Sequence, residues 1–162
     1  MSSLELLKDV YYVGYVDWEV RNFHGYSTHK GSSYNAYIVK SGEKTILIDT
    51  VKRPYFEYYL ENIQAVCDPK DIDYFIITDV RFPQEMKMIK DLGGHVFRIE
   101  APERTLKKLK EECGENYMKR ASHISETALD NVKFDYVIHN DVKDAPEYDI
   151  QKAVISLGIS AW

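Results

Sequence analysis

Asp79 and Arg81 are the side chains in this sequence best placed to do chemistry. They stand two residues apart just beyond the apolar run Tyr74-Phe75-Ile76-Ile77, and an open α/β sheet binds its ligands at the carboxyl ends of its strands. A guanidinium and a carboxylate in that place suit a phosphate and its counter-charge. The same spacing is also the ordinary pattern of an ion pair or a helix cap. His123 and Glu126, three residues apart in a polar stretch, could face a phosphate and its counter-charge, and fit one surface turn of helix equally well. Arg98, Arg104 and Arg120 lie near expected helix starts, where backbone N–H groups favour anions, so weak anion binding is a further expectation. Lys107, Lys108 and Lys110 read as a solvated helix face.

The stretch 71–81 must position these groups. Its unbroken apolar run, flanked by charge, predicts a strand buried on both faces and central in its sheet. Before it, 10–18, 33–40 and 44–50 are dense in β-formers, and Ser41-Gly42-Glu43 reads as a hairpin connection. The polar link 19–32 is long for a hairpin loop. Pro54 opens a helix with Phe56, Leu60, Ile63 and Val66 inward, and Asp68-Pro69-Lys70 stops it.

After Arg81 the pattern becomes helix, strand, helix, strand, helix. Pro83 starts a helix running to Leu92, with Met86 and Ile89 inward and Gly93-Gly94 as its end. A strand at 95–100 leads to a helix from Pro102 with Leu106, Leu109 and Cys113 inward, ending at Gly114. Residues 115–131 read as irregular, with one helical turn around 126–129. A strand at 134–138 precedes a closing helix, capped by Asp144 and Glu147, with Ile150, Val154 and Leu157 inward. The predicted fold is α/β, with N-terminal antiparallel hairpin strands and C-terminal parallel βαβ units in a three-layer arrangement around one mixed sheet, whose parallel strands are 74–78, 95–100 and 134–138.

Composition narrows the partners. A chain of 162 residues suits one domain. Its net charge of -5, with acids and bases interspersed, gives no basic stripe for nucleic acid. Cys67 and Cys113 lie far apart without Cys-x-x-Cys spacing, which predicts a reduced cytoplasmic protein without a disulfide framework. No apolar run reaches the roughly 18 residues of a spanning helix, and the first residues carry no leader pattern, so neither membrane nor targeting segment is expected. Exposed edge strands leave self-association open. The 13 tyrosines, many of them before residue 38, hint only weakly at a ligand surface, and the small-molecule ligand is unknown.

Residues from about 9 to 74 resemble the start of the flavodiiron proteins, whose N-terminal domain has the metallo-β-lactamase fold. The words that carry this are Val16-Asp17-Trp18, Asn22-Phe23-His24-Gly25-Tyr26, Tyr34-Asn35-Ala36-Tyr37, Leu47-Ile48-Asp49-Thr50-Val51-Lys52 and Asp68-Pro69. The resemblance implies that the strand at 71–77 leads into a His-x-Glu-x-Asp-His metal loop. Asp79, Arg81, Pro83 and Gln84 stand at those four ligand positions. A dinuclear site needs several carboxylate and imidazole donors, so neither metal nor cofactor is expected. The same resemblance makes His24 a ligand-contacting candidate, with a loop histidine bonding a backbone carbonyl preferred. It makes Asp49 the orderer of the metal loop, here expected to cap a turn or the Pro54 helix.

Residues from about 72 to 141 resemble instead the C-terminal part of the deoxynucleoside monophosphate kinases. The matching words are Thr78-Asp79-Val80-Arg81-Phe82-Pro83 with Glu85, Leu92-Gly93-Gly94, Arg98-Ile99-Glu100, Ser122-His123-Ile124-Ser125-Glu126-Thr127 and Phe134-Asp135-Tyr136-Val137-Ile138-His139-Asn140-Asp141. This implies that Asp79, Arg81, His123 and Glu126 descend from a nucleotide and lid surface. The phosphate loop Gly-x-x-x-x-Gly-Lys-Ser/Thr that such kinases need is absent from the sequence. The expectation is therefore a single recombined or engineered domain: a flavodiiron-like segment 1–73, a kinase-like segment 74–141 and a closing helix in 142–162. It would fold without a complete catalytic site. The alternatives are a residual nucleotide or phosphate binder, and a metal-dependent hydrolase or oxidoreductase.

Overall fold

The computed structural model describes residues 4–23, 26–114, 118, 121–141, 150–153 and 155. It is an α/β fold with both antiparallel and parallel strand pairing, and it divides into two compact units, Met1–Asp79 and Val80–Trp162.

In the first unit β1 (Leu4–Leu7), β2 (Val10–Tyr12), β7 (Tyr37–Ser41), β8 (Lys44–Ile48) and β9 (Tyr74–Ile76) form a five-stranded sheet in the order β1-β2-β7-β8-β9. The first three pairings are antiparallel, and β8 pairs β9 in parallel. Strands β3 (Tyr15–Asp17) and β6 (Ser32–Tyr34) pair separately, as do β4 (Asn22–Phe23) and β5 (Tyr26–Ser27). The β-rich run 10–18 is thus broken in two at Val13-Gly14, and 33–40 at Asn35-Ala36.

The breaks face each other. Val10 pairs with Val39 and Tyr12 with Tyr37, while beyond the breaks Tyr15 pairs with Tyr34 and Asp17 with Ser32. One antiparallel register runs through both ladders, and Val13 N donates to Ala36 O (2.9 Å) between them. Gly14 permits this approach, because a Cβ there would stand 2.0 Å from the Tyr34 carbonyl oxygen.

Helix α1 (Phe56–Gln64) follows a 3₁₀ turn at Arg53–Tyr55, as the placement of Pro54 predicts. Tyr59 and Ile63, one turn apart, bury against Val13, Ala36, Ile38 and Leu47 to make the core of this unit. Phe56, expected inward, is half exposed, because the start of the helix turns Tyr59 rather than Phe56 onto the sheet. The hairpin at Ser41-Gly42-Glu43 is present, with Ser41 opposite Lys44 and Gly42 at φ 59°.

The expectation of a central, doubly buried strand at 71–81 is corrected. Among the described residues β9 pairs only with β8, at the sheet edge, and Tyr74, Phe75 and Ile76 are 38%, 52% and 47% exposed. A continuous apolar run signals strand character without specifying the strand's place in the order.

The second unit contains α2 (Pro83–Asp91), β10 (Phe97–Glu100), α3 (Pro102–Cys113), a single turn α4 (Ile124–Thr127) and β11 (Tyr136–His139). Strands β10 and β11 pair in parallel, so the expected antiparallel hairpin strands and parallel pairing are both present; among the described residues, however, they bond only to each other, so the three parallel strands expected in one sheet lie in two. The parallel register, Phe97 with Tyr136 through Glu100 with His139, starts both strands about two residues later than the apolar runs suggest.

Met86, Val96 and Leu129 form the core of this unit, with Val80, Ile89, Val132 and Phe134 packed on it. Pro83 at the start of α2 and Gly93 at φ 80° beyond its end match the reading of that helix. Leu106 and Ile150, expected inward, are 43% and 47% exposed. Residues 150–153 are helical with Ala153 buried, whereas the proposed cap at Asp144 and Glu147, together with Val154 and Leu157, lies outside the described residues. No helix among the described residues is long and apolar enough to cross a membrane.

Gly14→Ala should cost about 1–3 kcal/mol through overpacking against backbone that cannot rotate away. A urea midpoint unchanged from the parent would show that the corner opens freely.

Candidate functional site

The carboxyl ends of β8 and β9 converge on Asp49. Its φ of 59° lies in the left-handed region, which aspartate tolerates better than most residues. Every polar atom of Asp49 is bonded. Its N–H donates to Ile76 O (2.8 Å), its carbonyl accepts from the Tyr59 hydroxyl (2.7 Å), and its carboxylate accepts from Thr78 N (2.7 Å) and Thr78 Oγ1 (2.6 Å). Asp49 therefore fixes the backbone just ahead of Asp79. This corrects the expectation of a turn cap or a cap for the Pro54 helix: the residue caps neither, and it orders the segment that follows β9.

Asp79 closes the first unit, and Arg81 follows Val80 at the start of the second. Arg81 pairs with Glu126 through Nη1 and Oε1, so two of the candidate residues from distant parts of the sequence are brought together. Glu85 accepts from both Arg81 N and Phe82 N (2.9 Å each) and caps α2 from its third position. Phe82 has no side-chain acceptor, so the capping box is half made. His123 contributes its carbonyl, which accepts from Glu126 N (2.9 Å). Arg104 contributes its backbone, with N donating to Asp141 Oδ1 (3.3 Å). Arg120 and His24 lie outside the described residues.

The structure adds three charged groupings whose partners sequence reasoning did not identify. Arg98 lies over the Phe134 ring and binds Asp130 (2.9 Å) and Glu100 (3.3 Å), with His139 Nδ1 3.7 Å from the second oxygen of Glu100. The alternation on β10 and β11 places Glu100 opposite His139, a signal visible once the register is known. Asp135 pairs with Lys90 and accepts from Val96 N (2.7 Å). Burial pulls its carboxyl upward, but the ammonium and the N–H outweigh burial and hold it below the usual carboxylate range.

The third is Asp17, the buried charged residue among the described residues of the first unit, 7% exposed. It shares a strand face with Tyr15, two residues earlier. Its Oδ2 accepts from the Tyr55 hydroxyl (2.6 Å), and its Oδ1 from Glu19 N and Val20 N (3.0 and 3.1 Å). The Tyr55 bond, opposed by burial and helped by the two N–H groups, lowers the carboxyl of Asp17, and the same bond pushes Tyr55 up to about 12. Tyr59 is pushed up to about 12 by burial.

The metal pair that the flavodiiron resemblance implies does not fit these residues. A guanidinium and a proline cannot ligate, and the guanidinium of Arg81 is held by a carboxylate. Among the described residues no three His, Cys, Asp or Glu side chains converge as a metal site would require.

No family model matches the chain. It is 47% identical over 80 residues to an uncharacterized protein of Methanocaldococcus jannaschii, which covers 49% of this chain and 20% of that protein. It is 44% identical over 78 residues to the anaerobic nitric oxide reductase flavorubredoxin of Aeromonas hydrophila (47% and 16%). It is 38% identical over 90 residues to the nitric oxide reductase of Moorella thermoacetica (51% and 22%). Among solved structures, the flavodiiron protein from Giardia intestinalis aligns with a TM-score of 0.47 at 30% identity, over 74% of this chain and 29% of that one. Similarity to flavodiiron proteins of the metallo-β-lactamase fold thus extends over about half of this chain, which spans roughly a fifth of the curated relatives it matches.

Because Tyr59 is raised from 10.0 to about 12, its neutral form is favoured in the folded state. Its stabilisation is complete below about pH 10 and is lost as pH rises through about 12, a change on the order of 2–3 kcal/mol. Urea titrations across that range should show this fall in the parent and a shallower one in Tyr59→Phe. Equal slopes would place the alkaline sensitivity elsewhere.

Thr78→Val, which removes one hydroxyl from Asp49, should cost about 1 kcal/mol at neutral pH. The check is the shift in thermal midpoint.

Proposed function

We propose that this chain is a folded α/β protein without a catalytic centre of its own, recombined from a flavodiiron-type segment and a segment of nucleotide-kinase type. The observation that carries this reading is the engagement of the charged groups around residues 78–85. Asp49 is bound to Thr78, Glu85 to the start of α2, and Arg81 to Glu126, while Asp79, Arg81, Pro83 and Gln84 stand at the four positions where the first resemblance implies metal ligands.

A second reading, residual binding of a nucleotide or phosphate by the second unit, is favoured by the meeting of Arg81 with Glu126 from opposite ends of the kinase-like text. The relatives named as nitric oxide reductases suggest a third, metal-dependent reduction of nitric oxide, which the ligand positions oppose.

Elemental analysis and a thermal-shift screen separate the three. The purified chain should carry well under one iron or zinc per molecule after exposure to either metal and should show no stabilisation by nucleoside mono- or triphosphates. Stabilisation approaching about 2.7 kcal/mol at a hundredfold excess over the dissociation constant would establish the second reading. A stoichiometric metal pair would establish the third.

A further inference from the structure

Tyr55 sits at the centre of an aromatic cluster and donates a partly buried hydrogen bond to Asp17. Its ring stacks on Tyr15, with centroids 4.1 Å apart and planes inclined by 14°, and Tyr34 lies 5.6 Å away. Tyr58, 54% exposed, reaches Tyr15 at 5.4 Å and gives the cluster a face toward solvent. Asp17 accepts the Tyr55 proton at 2.6 Å, and two backbone N–H groups fix the carboxylate by its other oxygen.

Removing an electron from a phenol turns its O–H into a strong acid. The oxidised state therefore persists only where the proton has somewhere to go. The structure places the Tyr55 hydroxyl on a carboxylate. We propose that Tyr55 is a proton-coupled one-electron donor site, with Asp17 as its proton acceptor and Tyr58 and Tyr15 as the path to solvent. An outer-sphere one-electron oxidant, such as a trivalent metal polypyridyl complex, takes one electron and leaves as its reduced form. The O–H bond of Tyr55 breaks, its proton joins Asp17 Oδ2, and a neutral tyrosyl radical faces a carboxylic acid. Return of one electron and the same proton restores the starting pair. This inference stands independently of the reading above, because it uses neither metal ligands nor nucleotide contacts.

The test uses the whole chain with photogenerated tris(bipyridine)ruthenium(III), radical formation being followed optically and by electron paramagnetic resonance after freezing. The parent should give one dominant neutral tyrosyl signal, which Tyr55→Phe replaces with a different or weaker one while keeping the ring stack. Asp17→Asn should slow radical formation about a hundredfold, the lower end of what a positioned proton acceptor supplies, and should make the rate depend on buffer concentration. Asp17→Glu should recover part of the rate. An unchanged signal in Tyr55→Phe overturns the assignment whether or not Asp17→Asn folds, and an unchanged rate in folded Asp17→Asn overturns the role of the carboxylate.

Discussion

The first unit depends on a single aspartate held in a conformation that most residues avoid. Asp49 ends β8 with a positive φ, and the bonds from its N–H, carbonyl and carboxylate run to β9, to α1 and to Thr78. A left-handed residue persists only where its surroundings over-determine it. Here two elements, β9 and α1, together with Thr78 do so at once. The flavodiiron resemblance implies this same residue as the one that orders a metal loop. In this structure the residue orders the segment after β9, where Thr78 donates to both oxygens of its carboxylate.

A second constraint lies in the long ladder running through β2–β7 and β3–β6. One register spans both pairs, yet the sheet cannot stay flat across them, and the strands leave it together where Gly14 passes the Tyr34 carbonyl. Beyond the break, Asp17 and Tyr15 meet Tyr55. The tyrosine cluster and the buried carboxylate are therefore products of the same corner. A side chain at position 14 would disturb both.

Much of this was legible in local chemistry. The Gly42 hairpin, the start of α2 at Pro83, its inward Met86 and its end at Gly93 each follow from a residue whose backbone preference allows few alternatives. The errors share a different cause. The run at 74–76 announces a strand but not its neighbours, because strand order is set by pairing with distant segments. Phe56 and Tyr59 are both aromatic and three residues apart, and which one turns inward depends on the Tyr59 hydroxyl finding the Asp49 carbonyl, a contact between residues that no periodicity relates. The division of 10–18 at Gly14 was written as a glycine inside a strand, which marks a close approach of backbones once the opposing chain is known. Of the candidate residues, Arg81 and Glu126 meet, while His123 and Arg104 take part through their backbones.

The charges of the second unit raise a question of competition. Arg81 and Glu126 are 35% and 44% exposed at their side chains, and ion pairs of that kind contribute no more than about 1 kcal/mol. A doubly charged phosphate could therefore replace Glu126 at small cost. The same holds for Arg98, whose partners Glu100 and Asp130 are 40% and 45% exposed. Neutralised arginines thus do not by themselves decide whether this unit holds a phosphate. A phosphate-binding loop presents several converging backbone N–H groups between a strand and the helix it opens. Here the turn before α2 already gives the N–H groups of Arg81 and Phe82 to Glu85. An arginine without that cradle attracts an anion without orienting it, and orientation is what phosphoryl transfer requires.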